Sequence, residues 1–171
     1  MGKEYWDSNL FLTFLQNKPE EIEDVEIVGA LLRKAEQRES LIIVSTVVIA
    51  EIRPRTEYDK ARFEVVQDLF YSDRPYVQVS AVSPRIADFA SVIGGRYNKI
   101  TVPDAIHVAT ACIEDVDVLL TFDGPRDKER RRSGDLLHYD RVIHKPIQGD
   151  PLLRIERPTM PLNSQLLMRD P

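Results

Sequence analysis

The sequence predicts an α/β fold with a central parallel sheet covered by helices on both faces. The order of the apolar segments along the chain predicts this fold. Short apolar runs of β type alternate along the chain with longer segments of helical spacing, and strands that are separated by helices pair in parallel. The length of 171 residues fits one domain of this kind with little to spare.

Four short apolar runs are predicted to be strands. They are Tyr5-Trp6, Leu41 to Val44, Tyr76 to Val79 and Val116 to Leu120. In a parallel sheet the carboxyl ends of the strands lie at one edge, and the ligand crevice lies just beyond that edge. We therefore expect side chains with a chemical role directly after these runs.

Helical spacing of apolar residues marks four segments between the strands. Serine followed by proline is a typical helix start, because serine caps the first turn and proline fits its first position. The first predicted helix ends near Arg38, and the second runs from near Tyr58 to before Arg74. The third starts at Ser83-Pro84 and ends or kinks at Gly94-Gly95, and the fourth runs from Thr101 to Cys112.

The chain changes character at Asp150. Prolines stand at positions 151, 158, 161 and 171, and the apolar residues between them have no periodicity. We therefore predict that residues 1–149 form the domain and that residues 150–171 form a proline-rich tail. Such a tail is extended and is ordered only where it docks.

Composition and charge exclude several classes of protein. Lys and Arg number 23 against 28 Asp and Glu, and a net charge of −5 argues against binding nucleic acid by bulk positive charge. The single cysteine, Cys112, excludes a disulfide scaffold and indicates a reducing compartment. The longest apolar run, Leu41 to Ala50, is far shorter than the roughly 20 residues that span a bilayer. Asp7 interrupts the N-terminal segment where a signal peptide needs apolar residues. We expect a cytoplasmic protein with no membrane association.

Four acidic residues stand at the predicted strand ends or just beyond them. Asp7 and Asp123 close the first and fourth strands, and Glu51 ends the apolar stretch after the second. Asp104 lies in the first turn of the last helix. One such acid is most often a turn or cap residue, but several at one landmark predict a cluster. Clustered carboxylates need a neutralising cation, and hard oxygen ligands select Mg²⁺ or Mn²⁺. The favoured chemistry is hydrolysis of a phosphate ester, in which such metals orient a water and stabilise the phosphate charge.

The segments around these acids carry a family resemblance. They are Asp7-Ser8-Asn9, Val48 to Ile52, Pro103 to Ala111 and Leu120 to Asp123. In this order and spacing they resemble PIN-domain nucleases, most closely the prokaryotic group that includes VapC-type toxins. The resemblance covers roughly residues 5–147. It implies a three-layer α/β/α fold, a homodimer, and a divalent-metal-dependent endoribonuclease that hydrolyses RNA phosphodiester bonds.

The resemblance also implies roles for individual residues. The four acids match the catalytic metal ligands of the family: Asp7, Glu51, Asp104 and Asp123. Ser8 matches a hydroxyl that helps orient the cluster, and Thr121 matches a polar position ahead of the last acid. The fourth acid is either Asp123 or Asp127, and Asp123 is preferred. That the chain is a toxin restrained by an antitoxin protein rests on the resemblance alone.

A basic run follows Asp123 and is the candidate RNA contact. It comprises Arg126, Lys128, Arg130, Arg131 and Arg132. Interleaved Asp127 and Glu129 are equally typical of a solvated helix face, whereas a basic rim beside a metal centre would hold the RNA backbone.

Three alternatives remain open from the sequence. An inactive PIN-like domain that serves as a binding scaffold would need no metal. A phosphatase of the haloacid-dehalogenase type is disfavoured, because it needs an Asp where Asn9 stands. His107, three residues after Asp104, is more typical of a packed or hydrogen-bonded histidine than of a metal ligand.

Overall fold

A five-stranded parallel sheet forms the centre of the computed structural model, which describes residues 1–147, 149 and 151–161. The strand order is β3-β2-β1-β4-β5, and every neighbouring pair is parallel. The strands are β1 (Gly2–Trp6), β2 (Ser40–Ser45), β3 (Val77–Ser80), β4 (Val118–Leu120) and β5 (Ile155–Glu156). The predicted fold class, a parallel sheet flanked by helices, is confirmed.

Six α-helices connect the strands. They are α1 (Ser8–Gln16), α2 (Ile22–Glu36), α3 (Thr46–Glu51), α4 (Lys60–Tyr71), α5 (Pro84–Arg96) and α6 (Val102–Ile113). The Ser83 hydroxyl accepts the Ile86 amide at 3.3 Å, which confirms the predicted start of α5. The Thr101 hydroxyl caps α6 by accepting the Asp104 amide, also at 3.3 Å. Within the described part of the chain, no helix is both long and apolar enough to cross a bilayer.

The sheet separates two hydrophobic cores, because successive strand residues point to opposite faces. Tyr5 packs with the residues of α5 and α6 on one face. Its neighbour Trp6 packs with α1, α2 and α4 on the other, and its ring lies 5.6 Å from that of Phe11. Both aromatic side chains are at most 1% exposed, so β1 is covered by helices on its two sides.

The chain after β4 returns to the sheet. Leu136, Leu137 and Leu153 are buried in the same core as Tyr5, and β5 then pairs with β4 in parallel. Residues 151–161 of the predicted tail are thus docked in part on the sheet, and residues 162–171 lie outside the described residues. The division of the chain after residue 149 stays a prediction.

Candidate metal centre

Asp7 is the residue between β1 and α1, at the carboxyl edge of the sheet. Its side chain is 3% exposed and accepts the Ser8 amide at 2.7 Å. The second carboxylate oxygen, Oδ2, accepts the Asn9 amide group and the Thr121 hydroxyl, each at 2.7 Å. A buried carboxylate needs such donors, because water cannot reach it to replace them.

The Thr121 hydroxyl joins Asp7 to the segment that carries Asp123. It donates to Asp7 and accepts from the Asn9 side chain and from the Asp123 amide, both at 2.9 Å. Asn9 also connects the Asp7 segment to the Asp123 segment, because its Oδ1 accepts the Phe122 amide at 2.9 Å. The structure therefore brings Thr121 into contact with Asp7.

Glu51 ends helix α3 and reaches back to His107 on α6. Its Oε2 lies 2.9 Å from His107 Nε2, and the same nitrogen is 3.5 Å from Asp7 Oδ1. The other ring nitrogen, Nδ1, lies 2.8 Å from the Tyr5 hydroxyl, which accepts the Ser45 amide at 3.2 Å. Nδ1 therefore faces the Tyr5 hydroxyl, and Nε2 faces the carboxylates and donates to Glu51.

Asp104 and Asp123 extend the cluster along the same edge. Asp104 lies in the first turn of α6, where the Thr101 hydroxyl donates to its carboxylate. Asp123 Oδ2 accepts the Leu136 amide at 2.7 Å. The charge of Asp104 acts on Asp123, and the charges of Asp7 and Glu51 act on Asp104. The predicted strand-end acids thus form one chain of interacting carboxylates.

Asp127, the alternative fourth acid, has different surroundings. Its carboxylate accepts the Glu129 amide at 3.0 Å and pairs with Arg130 at 3.4 Å, with 53% of the side chain exposed. These are contacts within a local turn. The geometry favours Asp123 over Asp127 as the residue that extends the cluster.

The negative charge of the acids in this cluster exceeds the positive charge beside them. Burial raises the pKa of Asp7 above its usual value despite the His107 charge, and burial together with the Asp7 charge does the same for Asp104. Burial and the Asp104 charge also raise the pKa of Asp123. Burial would raise the pKa of Glu51 too, but the hydrogen bond and charge of His107 outweigh it and lower that pKa. Cation binding would relieve this repulsion.

The donor set fits a hard divalent ion. Ligand atoms of Asp7, Glu51 and His107 all lie within 4.8 Å of one another, and Asp104 supplies a further carboxylate close by. Carboxylate oxygens dominate, which is the preference of Mg²⁺ and Mn²⁺. His107 Nε2 carries a proton in this arrangement, so His107 orients the carboxylates rather than binding the ion.

The basic run is divided between internal contacts and solvent. Arg126 pairs with Glu23 at 3.1 Å and with Asp24 at 3.0 Å, and Arg131 donates to the Leu137 carbonyl at 3.0 Å. Arg130 is 81% exposed and Arg132 is exposed. The side chain of Lys128 lies outside what the structure describes.

Sequence reasoning undervalued three residues of this site. Tyr5 was assigned only to a strand and Asn9 only to the segment Asp7-Ser8-Asn9, since the hydroxyl and the amide find their partners only in the folded chain. His107 is packed and hydrogen-bonded, as its place on a helix face indicates, but its partner is Glu51. The available signal was its spacing of three residues from Asp104, which sets both on one side of α6.

Fold and cluster together define a class: parallel α/β domains with an acidic centre at the carboxyl edge of the sheet. Residues 5–125 match the PIN domain family. The chain belongs to that family, and the predicted resemblance is confirmed.

A solved structure shares this fold. A chain of the crystal structure of VapBC2 from Rickettsia felis, bound to a DNA fragment from its promoter, superposes with a TM-score of 0.54 at 13% identity. The match covers 92% of this chain and 99% of the other. A chain of FitAcB from Neisseria gonorrhoeae gives a TM-score of 0.48 at 20% identity, covering 70% and 87%. A comparison with curated protein sequences gave no match.

Proposed function

We propose that this chain is a divalent-metal-dependent endoribonuclease that hydrolyses RNA phosphodiester bonds. The observation that carries the proposal is the cluster of Asp7, Glu51 and His107, whose ligand atoms all lie within 4.8 Å of one another. The charges of Asp7 and Glu51 also act on Asp104, and that of Asp104 acts on Asp123. Membership of the PIN domain family supports a nuclease over other uses of an acidic site. The cytoplasm is the compartment in which we expect it to act.

Asp7, Glu51, Asp104 and Asp123 would hold Mg²⁺ or Mn²⁺. When bound, such an ion supplies Lewis-acid stabilisation of the phosphate charge and increases the acidity of water. Thr121 and Asn9 fix the Asp7 carboxylate through hydrogen bonds, and His107 fixes that of Glu51. Ligands held in this way need little rearrangement when the ion arrives.

The phosphate backbone of RNA needs positive charge beside this acidic centre. Arg130 and Arg132 are exposed members of the basic run and are the proposed phosphate contacts, and Arg130 also pairs with Asp127 at 3.4 Å. Arg126 already pairs with Glu23 and Asp24, so any RNA contact would have to compete with these ion pairs.

An antitoxin partner and a homodimer form a second part of the proposal. The fold shared with a chain of VapBC2 supports the antitoxin partner. The homodimer rests on the family resemblance. A protein partner that places a cationic side chain among the acids would satisfy the charge deficit of the cluster and block access to it.

The nuclease assignment is tested with purified protein, structured RNA and Mn²⁺. We expect cleavage by the wild type and a loss of about 100-fold or more in Asp7→Asn and Asp104→Asn, as when one charge-stabilising group is removed from a site. Asp73→Asn is the matched control, because Asp73 is exposed and lies before β3, at the opposite edge of the sheet.

Equal cleavage by the wild type and both site variants would contradict the proposal. Absence of both cleavage and Mn²⁺ binding in the wild type would favour the binding scaffold instead.

A further inference from the structure

The segment after β5 reaches the loop that carries Asp123. Arg157 Nη1 donates to the Phe122 carbonyl at 3.2 Å and to the Gly124 carbonyl at 3.4 Å. These two carbonyls flank Asp123 in sequence. The guanidinium group of Arg157 therefore holds the backbone on both sides of Asp123, the proposed metal ligand.

Arg157 is itself anchored by two further contacts. Its Nη2 donates to Asp24 Oδ2 on α2 at 2.7 Å, and its guanidinium carbon lies 4.7 Å from the centre of the Phe122 ring. The Arg157 and Asp24 side chains are only 21% and 14% exposed. Partial burial limits screening by water, so this ion pair is stronger than one on an open surface.

The Asp123 loop depends on such contacts because regular structure is absent around it. Strand β4 ends at Leu120, and the next turn of helix is the 3-10 segment that begins at Lys128. The Asp123 amide donates to Thr121, and its carboxylate accepts the Leu136 amide. Arg157 adds contacts to the backbone on both sides of Asp123.

We propose that Arg157 is a positioning residue for Asp123, so that the C-terminal strand completes the metal centre. This inference rests on the proposed function. Arg157 lies beyond residues 5–125, the part that matches the PIN domain family, and the contribution therefore belongs to the C-terminal extension of this chain. It acts through the loop and touches neither ion nor substrate.

The test measures Mn²⁺ affinity of the full chain by electron paramagnetic resonance of free Mn²⁺. We expect Arg157→Gln to weaken binding by about tenfold, the lower end for residues that support metal ligands from outside. Arg154→Gln is the matched control, because Arg154 lies next to β5 and pairs on the surface with Glu156, with 45% of its side chain exposed. Its affinity should equal that of the wild type.

A double-mutant cycle separates positioning from general destabilisation. In an Asp123→Asn background, Arg157→Gln should cause no further loss of Mn²⁺ affinity, because the ligand that it positions is gone. An additional tenfold loss in that background would overturn the inference. So would wild-type affinity in Arg157→Gln.

Arg157→Lys covers the case in which Arg157→Gln does not fold. Lysine keeps the positive charge, but its compact ammonium lacks the planar fork with which Nη1 contacts the two carbonyls while Nη2 contacts Asp24. We expect a reduced affinity, and wild-type affinity in this variant would overturn the inference. If the wild-type chain binds no Mn²⁺, the proposed function fails; if it binds and the Arg157 variants match it, only the inference fails.

Discussion

The Tyr5 hydroxyl lies between the Ser45 amide, which donates to it, and the His107 Nδ1 nitrogen, 2.8 Å away. These two hydrogen bonds, to Ser45 and His107, fix which nitrogen of His107 faces Glu51. At the residue scale, the acidic cluster is thus oriented by a hydroxyl and an imidazole that are buried behind it. Burial raises the pKa of Tyr5 well above its usual range, so its hydroxyl stays protonated and available as a donor.

Removing the Tyr5 hydroxyl should weaken the positioning of Glu51, while the aromatic ring still fills its place in the core. We expect Tyr5→Phe to lower the free energy of unfolding by about 1–2 kcal/mol, because the Ser45 amide loses a buried partner. RNA cleavage should fall as well, since His107 is then free to rotate away from Glu51. Urea unfolding and the cleavage assay measure the two effects.

Tyr97→Phe is the control for the Tyr5 variant. Its hydroxyl makes one exposed contact of 3.4 Å to the Val142 carbonyl, so its loss should change neither stability nor cleavage appreciably. Equal behaviour of the two Phe variants would contradict the role given to Tyr5.

The acids were predictable from the sequence, but the groups that orient them were not. Asp7 and Asp123 follow strands, and the carboxyl edge of a parallel sheet is fixed by topology. The partner of His107 depends on the path of α3, which brings Glu51 across from another part of the chain. Hydrogen bonds between residues so distant in sequence leave no local pattern.

At the scale of elements, the loop after β4 is shaped by Gly124. Its φ of +115° is a conformation that other residues rarely adopt, and an added Cβ would lie 3.0 Å from the Asp135 Cβ. The loop carries Asp123 directly before this glycine. The backbone conformation at Gly124 therefore affects the position of Asp123, the proposed metal ligand.

Gly124→Ala should destabilise the chain and disturb the site. We expect a loss of about 1–3 kcal/mol in the free energy of unfolding, from the strained φ and the close contact. RNA cleavage should fall with it. Thermal unfolding and the cleavage assay measure both quantities.

Gly95→Ala provides the comparison. Gly95 lies in α5 with nothing within 4 Å of an added Cβ, so alanine should stabilise the helix by up to about 1 kcal/mol. A Gly124→Ala variant as stable and active as the wild type would show that the loop tolerates a side chain.

Helices with caps could be predicted from the sequence, whereas the shortest elements could not. Ser83-Pro84 and Thr101 begin α5 and α6, because caps and proline at the first turn are local signals. Helix α3 spans only Thr46–Glu51 and is rich in β-branched residues, which weaken a helical signal. Strand β5 has two residues, so its pairing is determined by the sheet that receives it.

At the scale of the whole molecule, the metal-free chain should lose stability as the pH rises from about 5 to about 8. Asp7, Asp104 and Asp123 have raised pKa values, so above 3.8 the folded chain binds more protons than the unfolded chain. Their stabilising contribution is lost as the pH passes each raised value. His107, raised above 6.5, acts in the same direction. Glu51, with its lowered pKa, loses its contribution only as the pH falls below 4.5.

Urea unfolding in a chelator at the two pH values measures this dependence. We expect a difference of about 1–2 kcal/mol, after allowance for the partial exposure of Asp104 and Asp123. Mg²⁺ should restore stability at pH 8, and Asp104→Asn should flatten the dependence. Stability that rises between pH 5 and pH 8 would contradict the charge deficit assigned to the cluster.

The position of Trp6 gives the protein an optical reporter of its own. It is the single tryptophan of the chain, it is 1% exposed, and it stands directly before Asp7. Its indole nitrogen lies 3.3 Å from Glu4, and its ring packs against Phe11 of α1. Since indole emission depends on the polarity around the ring, intrinsic fluorescence records the packing of β1 and α1 beside the acidic cluster without an added label.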